Sequence, residues 1–264
     1  MSDFEDLLRE GEEVPVEGWD FSWFEGRATE ERPSWGYSTL LAEHMARAGA
    51  ALDVQTGGAE VLARIPKAPA LLRATESWPP NLEIARRNLA PLNGEVVHVE
   101  DTDDLPFADG TFDLVVSRHP TTVLWDEIAR VLKPGGTYLS QGIGAGTNRE
   151  LSEAMLGPLP TPADLRLEER AAAAGLSIFT LEHQSLRAEY YDIGAIVHFL
   201  RKVLWTVPGF TVERYRPQLA KVHERIESEG PFVSHARRYL LKAVKGTPAT
   251  TPGREGFSLK NSVT

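Results

Sequence analysis

The sequence predicts a doubly wound α/β fold built around a mostly parallel sheet. Three observations carry that reading. Short apolar stretches recur from Ala50 onward, each followed by a segment with helical spacing. One of them, "FDLVVSRH" at 112–119, is continuously apolar until its end, as in a strand covered on both faces. Polar clusters fall just after the strand ends and not along the strands, so they gather on one edge of such a sheet.

The elements follow in order. Up to about Gly49 the chain mixes acids, aromatics and turns, with Leu41, His44, Met45 and Ala48 spaced as on an amphipathic helix over 38–48. Trp19, Phe21, Trp23, Phe24 and Trp35 are too many aromatics for a disordered tail and are expected to pack. "ALDV" reads as the first strand, followed by a turn and a helix near Glu60 to Ile65. "ALLRAT" is a second strand ending at Glu76, and "PPNLEIARRNLAPL" is a helix with proline in its first turn. "EVVHVE", "FDLVVSRH" and "TYLSQGI" are the next strands, and the helix "WDEIARVLKPGG" is stopped by Pro134 and the glycines. After Gly146 the rhythm changes to a helix over "TPADLRLEERAAAAG", a long strand at "LSIFTLEHQSLRAEYY", an apolar helix over "DIGAIVHFLRKVLWTVPG" and a last strand at "FVSHARRYLLKAVK". This divides the chain into an N-terminal cap over 1–49, a central domain over 50–246 with an insertion at about 147–215, and a flexible tail over 247–264.

Composition narrows the function. The 264 residues carry a net charge of −10 and no cysteine, which removes disulfides, thiolate zinc sites and cysteine nucleophiles together. An acidic total lowers the expectation of a nucleic-acid partner, whose phosphates call for a basic face, and a small molecule becomes the default substrate. No run approaches the roughly 18 apolar residues of a membrane span, and the acidic start lacks the order of a signal peptide, so a cytoplasmic location is expected. Oligomeric state leaves no mark in the sequence.

Four clusters meet at the strand ends: Asp53-Val54-Gln55-Thr56-Gly57-Gly58, Glu76-Ser77-Trp78, Asp101-Thr102-Asp103 and Ser117-Arg118-His119. Gly57 and Gly58 let backbone approach a ligand, and the following helix would offer free N–H groups to a carboxylate or phosphate. Glu76 lies about 23 residues past Asp53, where an acid accepts ribose hydroxyls, and Trp78 suits an adenine face. The segments "LDVQTGGAE", "ATE", "VEDTDDLPFADGTFDLVVSRH" and "EIARVLKPGGTYLSQ", in this order over residues 50–143, resemble the class I S-adenosylmethionine-dependent methyltransferases of the type 11-like branch. The resemblance implies a Rossmann-like sheet of seven strands with "RRYLLKAVK" antiparallel, and S-adenosylmethionine as cofactor. It also implies roles: Asp53 for the glycine loop and the cofactor's amino end, Glu76 for the ribose, Asp101 and Thr102 for the adenine amino group, and Ser117 and Arg118 beneath the methionine part.

The departures from the family pattern lie in the glycine loop, where acid-x-Gly-x-Gly-x-Gly becomes Asp53-Val-Gln55-Thr-Gly57-Gly-Ala59. The Gln55 amide either hydrogen-bonds the cofactor or fills its pocket. His119 is the best-placed group to serve as a base or to position an acceptor; shaping the loop by a backbone hydrogen bond is the plainer role. Aromatics from the cap and insertion, including Tyr190, Tyr191, His198 and Trp205, suit a roof over a flat organic acceptor, although most of them are expected to be core. The main reading is therefore O- or N-methylation of a small organic molecule. Two alternatives stand beside it: a ribosomal RNA guanine-N1-type methyltransferase, whose "LPF" and "NRELSE" segments are faintly similar, and a methyltransferase fold that no longer transfers methyl groups. No metal is implied, since the acidic run at 101–109 reads as a solvated loop.

Overall fold

The structure is a computed structural model and describes residues 4–16 and 21–246. Trp19 and the tail from residue 247 lie outside the described residues. Five strands, β2 (Ala50–Asp53), β3 (Leu71–Glu76), β4 (Glu95–His98), β5 (Phe112–Arg118) and β6 (Leu132–Ile143), pair parallel with their neighbours. β8 (Phe232–Lys245) runs antiparallel between β6 and β7 (Leu176–Tyr190), as the family resemblance implies. Among the described residues the sheet has eight strands, because the three-residue β1 (Ala28–Glu30) pairs antiparallel with the end of β7. The order is β1-β7-β8-β6-β5-β2-β3-β4.

Helices cover both faces. On one, α2 (Tyr37–Arg47) and α3 (Pro79–Leu89) bury Leu41, Met45, Leu82 and Leu89 against Leu72, Val116, Leu139 and Leu240 of the strands. On the other, α4 (Trp125–Val131) and α6 (Leu167–Ala173) pack Ile128, Leu167 and Ala171 against Leu52, Val115 and Tyr138. Beyond the sheet lies a third apolar cluster, from α1 (Phe4–Glu13), α5 (Arg149–Leu156), α7 (Ile193–Lys202) and α8 (Val212–Glu229). The Asp192 carboxylate caps α7 by accepting from Ala195 N–H and also holds the Arg27 guanidinium, which reaches Glu10 of α1. The first 49 residues therefore divide their packing, with α1 on the helices of the insertion and α2 on the sheet.

Several local expectations need correction. No α-helix follows the glycine loop; only a single 3-10 turn, Leu62–Arg64, occupies the place of the helix expected near Glu60 to Ile65. Pro66 is the cause, because it holds Ile65 in extended backbone (φ −66°, ψ 134°) and leaves too few residues for a second turn. The helix expected over 161–175 shortens to α6, since Pro162 stands near its expected start and Arg166 takes a left-handed conformation (φ 52°). The apolar helix after Asp192 ends at Lys202 and does not run on toward Pro208. α4 stops at Val131, and Lys133 to Gly136 form an irregular stretch inside β6, where pairing jumps from Phe112–Leu132 to Leu114–Thr137. α1, α5 and α8 were not expected from the sequence.

Gly142 of β6 faces Tyr239 of β8 across the ladder, and a β-carbon there would stand 2.0 Å from the phenol ring. Tyr239 is buried, so the ring has nowhere to go. Gly142→Ala is expected to cost about 1–3 kcal/mol in denaturant unfolding, and a smaller side chain at Tyr239 in the double variant should restore part of it. Independent, additive effects of the two substitutions would refute the contact.

Candidate active site at the strand ends

A strand alternates its side chains between two faces with period two. In β2 the face that carries Ala51 also carries Asp53; in β3 it carries Leu72, Ala74 and then Glu76. In β5 the same alternation leads from Leu114 and Val116 to Arg118, and in β6 from Leu139 to Gln141. All four apolar sets pack beneath α2 and α3. Asp53, Glu76, Arg118 and Gln141 therefore emerge on one face, at the carboxyl ends of adjacent parallel strands.

The glycine loop takes left-handed backbone at alternate positions. Gln55 (φ 58°), Gly57 (φ 63°) and Ala59 (φ 60°) all lie in the left-handed region, yet only the middle one is glycine. Each non-glycine residue there costs about 1–2 kcal/mol. Hydrogen bonds hold the loop in place: Gln55 N–H donates to Thr75 Oγ1, Thr56 N–H to the Thr75 carbonyl, and the Thr56 hydroxyl to Asp53 Oδ2 at 2.7 Å. The Gln55 side chain points across to the loop after β5. Its Nε2 donates to the Thr122 carbonyl at 2.9 Å, and its Oε1 accepts from Thr121 N–H at 2.7 Å. The Thr121 hydroxyl proton goes to Asp101 Oδ2 at 2.6 Å, so Gln55, Thr121 and Asp101 link three strand-end loops. Gly58 is tied through its carbonyl to Asn88 of α3.

Glu76 is buried, and each carboxylate oxygen accepts one backbone N–H, from Gly57 at 2.7 Å and from Trp78 at 2.9 Å. One lone pair on each oxygen remains for a pair of hydroxyls. Burial raises its pKa, and the two backbone N–H groups work against that rise. Trp78 leads into α3 and is 42% exposed, so its indole is partly open to solvent. The Ser77 carbonyl meets His98 Nε2. Thr102 and Asp103 are exposed, and their turn is closed by Asp103 N–H donating to the Glu100 carbonyl.

Ser117 points to the opposite face of β5: its hydroxyl lies 2.8 Å from Tyr138 OH and 2.9 Å from Ser140 Oγ, fully buried. Only its backbone, whose carbonyl accepts from Tyr37 OH, borders the site. Arg118 has no hydrogen bond or ion pair among the described residues, and its charge sits in the field of Asp53, Glu60 and Tyr37. His119 has left-handed backbone (φ 56°), and its N–H donates to the Gln141 carbonyl at 2.7 Å. Its Nε2 lies 2.9 Å from Gln141 Nε2, and Gln141 Oε1 accepts from Trp35 Nε1–H at 2.7 Å. Burial, and then the charges of Arg118 and Arg238, bring the His119 pKa down to about 3. Of the aromatics expected to form a roof, Tyr190 and His198 are buried in the helical cluster, and Tyr191 and Trp205 face outward. Gln141, Thr121 and Thr75 were missed in the sequence; a lone glutamine in the apolar run of β6 was the one available signal.

Asp53 is the site's costly charge. Burial pushes its carboxyl up to about 7 against the Thr56 hydrogen bond and the Arg118 charge, with Glu76 adding to the rise. A folded pKa above the unfolded one means that the stabilisation from proton binding is complete below about 3.8 and is lost as pH rises through about 7. Asp53→Asn should therefore raise Tm at pH 8, by roughly 2–4 °C for each kcal/mol relieved, and the gain should vanish toward pH 4; an equal gain at both pH values would deny the buried charge. Gln55→Gly should quicken amide exchange at Thr121 by roughly threefold to tenfold, the worth of one hydrogen bond. Tm should hardly move, because relief of left-handed strain offsets the lost contacts. Unchanged exchange would mean that the amide link carries no energy.

The geometry agrees with what comparison finds. Residues 52–140 match the sequence model of the methyltransferase domain family. No curated protein matches the chain. Among solved structures, a putative methyltransferase from Bacillus halodurans aligns at TM-score 0.56 and 18% identity, over 80% of this chain and 99% of that one. The YcgJ protein of Bacillus subtilis aligns at TM-score 0.59 and 16% identity, over 79% and 97% of the two chains. A protein of unknown function from Deinococcus radiodurans gives TM-score 0.55 and 19% identity, over 82% and 90%. At these identities the likeness is one of fold, and over residues 52–140 the chain carries the sequence pattern of the methyltransferase domain family.

Proposed function

We propose that this chain methylates a small organic acceptor on oxygen or nitrogen. The observation that carries the reading is the row of side chains on one sheet face: a buried carboxylate with two free lone pairs at Glu76, a second acid at Asp53, and a guanidinium at Arg118 that has no bonded partner among the described residues. These match the parts of the cofactor in order. Glu76 would take the ribose hydroxyls, Asp53 the ammonium, Arg118 the carboxylate, and the Trp78 ring an adenine face. One element fits poorly, since the single 3-10 turn after the loop supplies no helix N-terminus for the carboxylate. Arg118 makes up that loss with a full charge. S-adenosylmethionine brings an electrophilic methyl group on a sulfonium, and the protein's part is alignment and exclusion of water.

The acceptor would approach from the β6 and β8 side. A half-open groove of about 750 Å³ lies there, lined by Gly144, Leu165, His183, Gln184, Arg237 and Arg238, within the size range of small-ligand sites. Arg238 joins groove and site, because its charge acts on His119 and it pairs with Glu30 at 3.0 Å. The net charge of −10 favours a small acceptor over RNA.

Calorimetric titration with S-adenosylmethionine and S-adenosylhomocysteine tests the reading. Both should bind, and Glu76→Ala should weaken binding about 10- to 100-fold, as loss of charged hydrogen bonds implies. Near pH 6.5 binding should also release protons, seen as heats that vary with buffer, because an ammonium beside Asp53 drives a carboxyl of pKa about 7 to ionise. A folded protein that binds neither ligand would reduce the methyltransferase likeness to ancestry.

A further inference from the structure

The hydrogen bonds around His119 fix which of its nitrogens carries a proton. An indole N–H only donates, so the Gln141 atom that meets Trp35 Nε1 at 2.7 Å is the carbonyl oxygen. The other arm of the same amide is then its NH2 group, which also only donates. That arm stands 2.9 Å from His119 Nε2. Two donors do not make a hydrogen bond, so Nε2 holds a lone pair and the ring proton sits on Nδ1. An imidazolium, protonated on both nitrogens, would set N–H against N–H and would add a third positive charge beside Arg118 and Arg238. Of the acids near these cations, Glu30 is committed to Arg238 and Asp53 and Glu60 act on Arg118, so none offsets a charge on the His119 ring.

The other nitrogen is free. Nδ1 has no partner among the described residues, and the ring is half-buried at the end of β5, one residue past Arg118. Gln141 grips His119 twice, at its backbone N–H through the main-chain carbonyl and at Nε2 through the amide, so the direction of Nδ1–H is set by the sheet and not by a flexible loop.

Resting on the methyltransferase reading above, we propose that His119 is a fixed, neutral Nδ1–H donor that positions the acceptor, and that Gln141 and Trp35 are the positioning residues that impose this state. It follows that His119 takes no proton from the acceptor. The acceptor atom arrives with its lone pair free, as an amine base or an oxyanion, while a neighbouring oxygen or nitrogen of the same molecule accepts the Nδ1–H hydrogen bond. Any proton the acceptor sheds goes to water. The position directly after β5, where a base would be sought, holds a hydrogen-bond donor instead.

The tautomer is measured on the whole chain, without cofactor, by long-range proton–nitrogen NMR of protein labelled at histidine, with His119→Gln used to assign the signal. The wild-type ring is expected as Nδ1–H throughout pH 5–8 with no titration, in keeping with a pKa of about 3. In Gln141→Glu the carboxylate accepts from Trp35 and from Nε2–H together. The proton should therefore move to Nε2, and the ring should begin to titrate near or above the ordinary value of about 6.5. In Trp35→Phe the amide is free to turn over, and a mixture of tautomers should appear. The other six of the chain's seven histidines report whether each variant is folded; if Gln141→Glu is not, Trp35→Phe carries the test. A wild-type ring protonated on Nε2, one that titrates near 6.5, or a tautomer indifferent to both substitutions would overturn the proposal. None of these readings depends on cofactor binding, so failure of the proposal and failure of methyl transfer are separately visible.

Discussion

The site rests on the pleat of a parallel sheet. Because side chains alternate strictly, the same register that buries Ala51, Ala74, Val116 and Leu139 beneath α2 and α3 sends Asp53, Glu76, Arg118 and Gln141 to that face at the strand ends. A slip of one residue in any strand would reverse its apolar set and withdraw its strand-end polar residue together. Packing energy and site geometry are thus enforced by one constraint. Ser117 illustrates the other half of the rule: one residue before Arg118, it faces the opposite side and is spent on Tyr138 and Ser140.

Against that rigid edge the glycine loop is held by compensation. Its backbone needs left-handed conformations at Gln55 and Ala59, where side chains are disfavoured. The strain is offset by contacts that only a side chain at Gln55 can make, to Thr121 N–H and the Thr122 carbonyl. Those contacts couple the loop after β2 to the loop after β5, and Thr121 extends the link to Asp101. Replacing a glycine with glutamine has therefore exchanged conformational freedom for a tie between loops. The amide leans on the neighbouring loop.

Electrostatically the site is assembled at the expense of stability. Asp53 and Glu76 are buried acids whose pKa values rise, and Arg118 has no bonded partner among the described residues. Such groups are costly in the empty protein and are satisfied by a ligand that brings opposite charges and hydroxyls. His119 follows the same pattern, since burial, and then two nearby guanidinium groups, keep its ring neutral.

The sequence by itself determined the alternation of strands and helices, the parallel sheet with an antiparallel β8, and the acids at the strand ends. The alternation, the parallel sheet and the acids follow from local apolar periodicity and from spacing along the chain, whereas the antiparallel course of β8 was legible only through the resemblance to a methyltransferase family. It misjudged the segment after the glycine loop, where Pro66 leaves room for one turn only, and the extent of α6 below its prolines. Tertiary structure alone decided the links that join distant positions: Gln55 with Thr121, and Trp35 with Gln141 and His119, the last separated by up to 106 residues. Periodicity records which face a residue occupies, because that depends on near neighbours. It does not record which hydrogen-bonding atom of another element will meet that face, because strand order and loop course are settled only when the sheet is assembled.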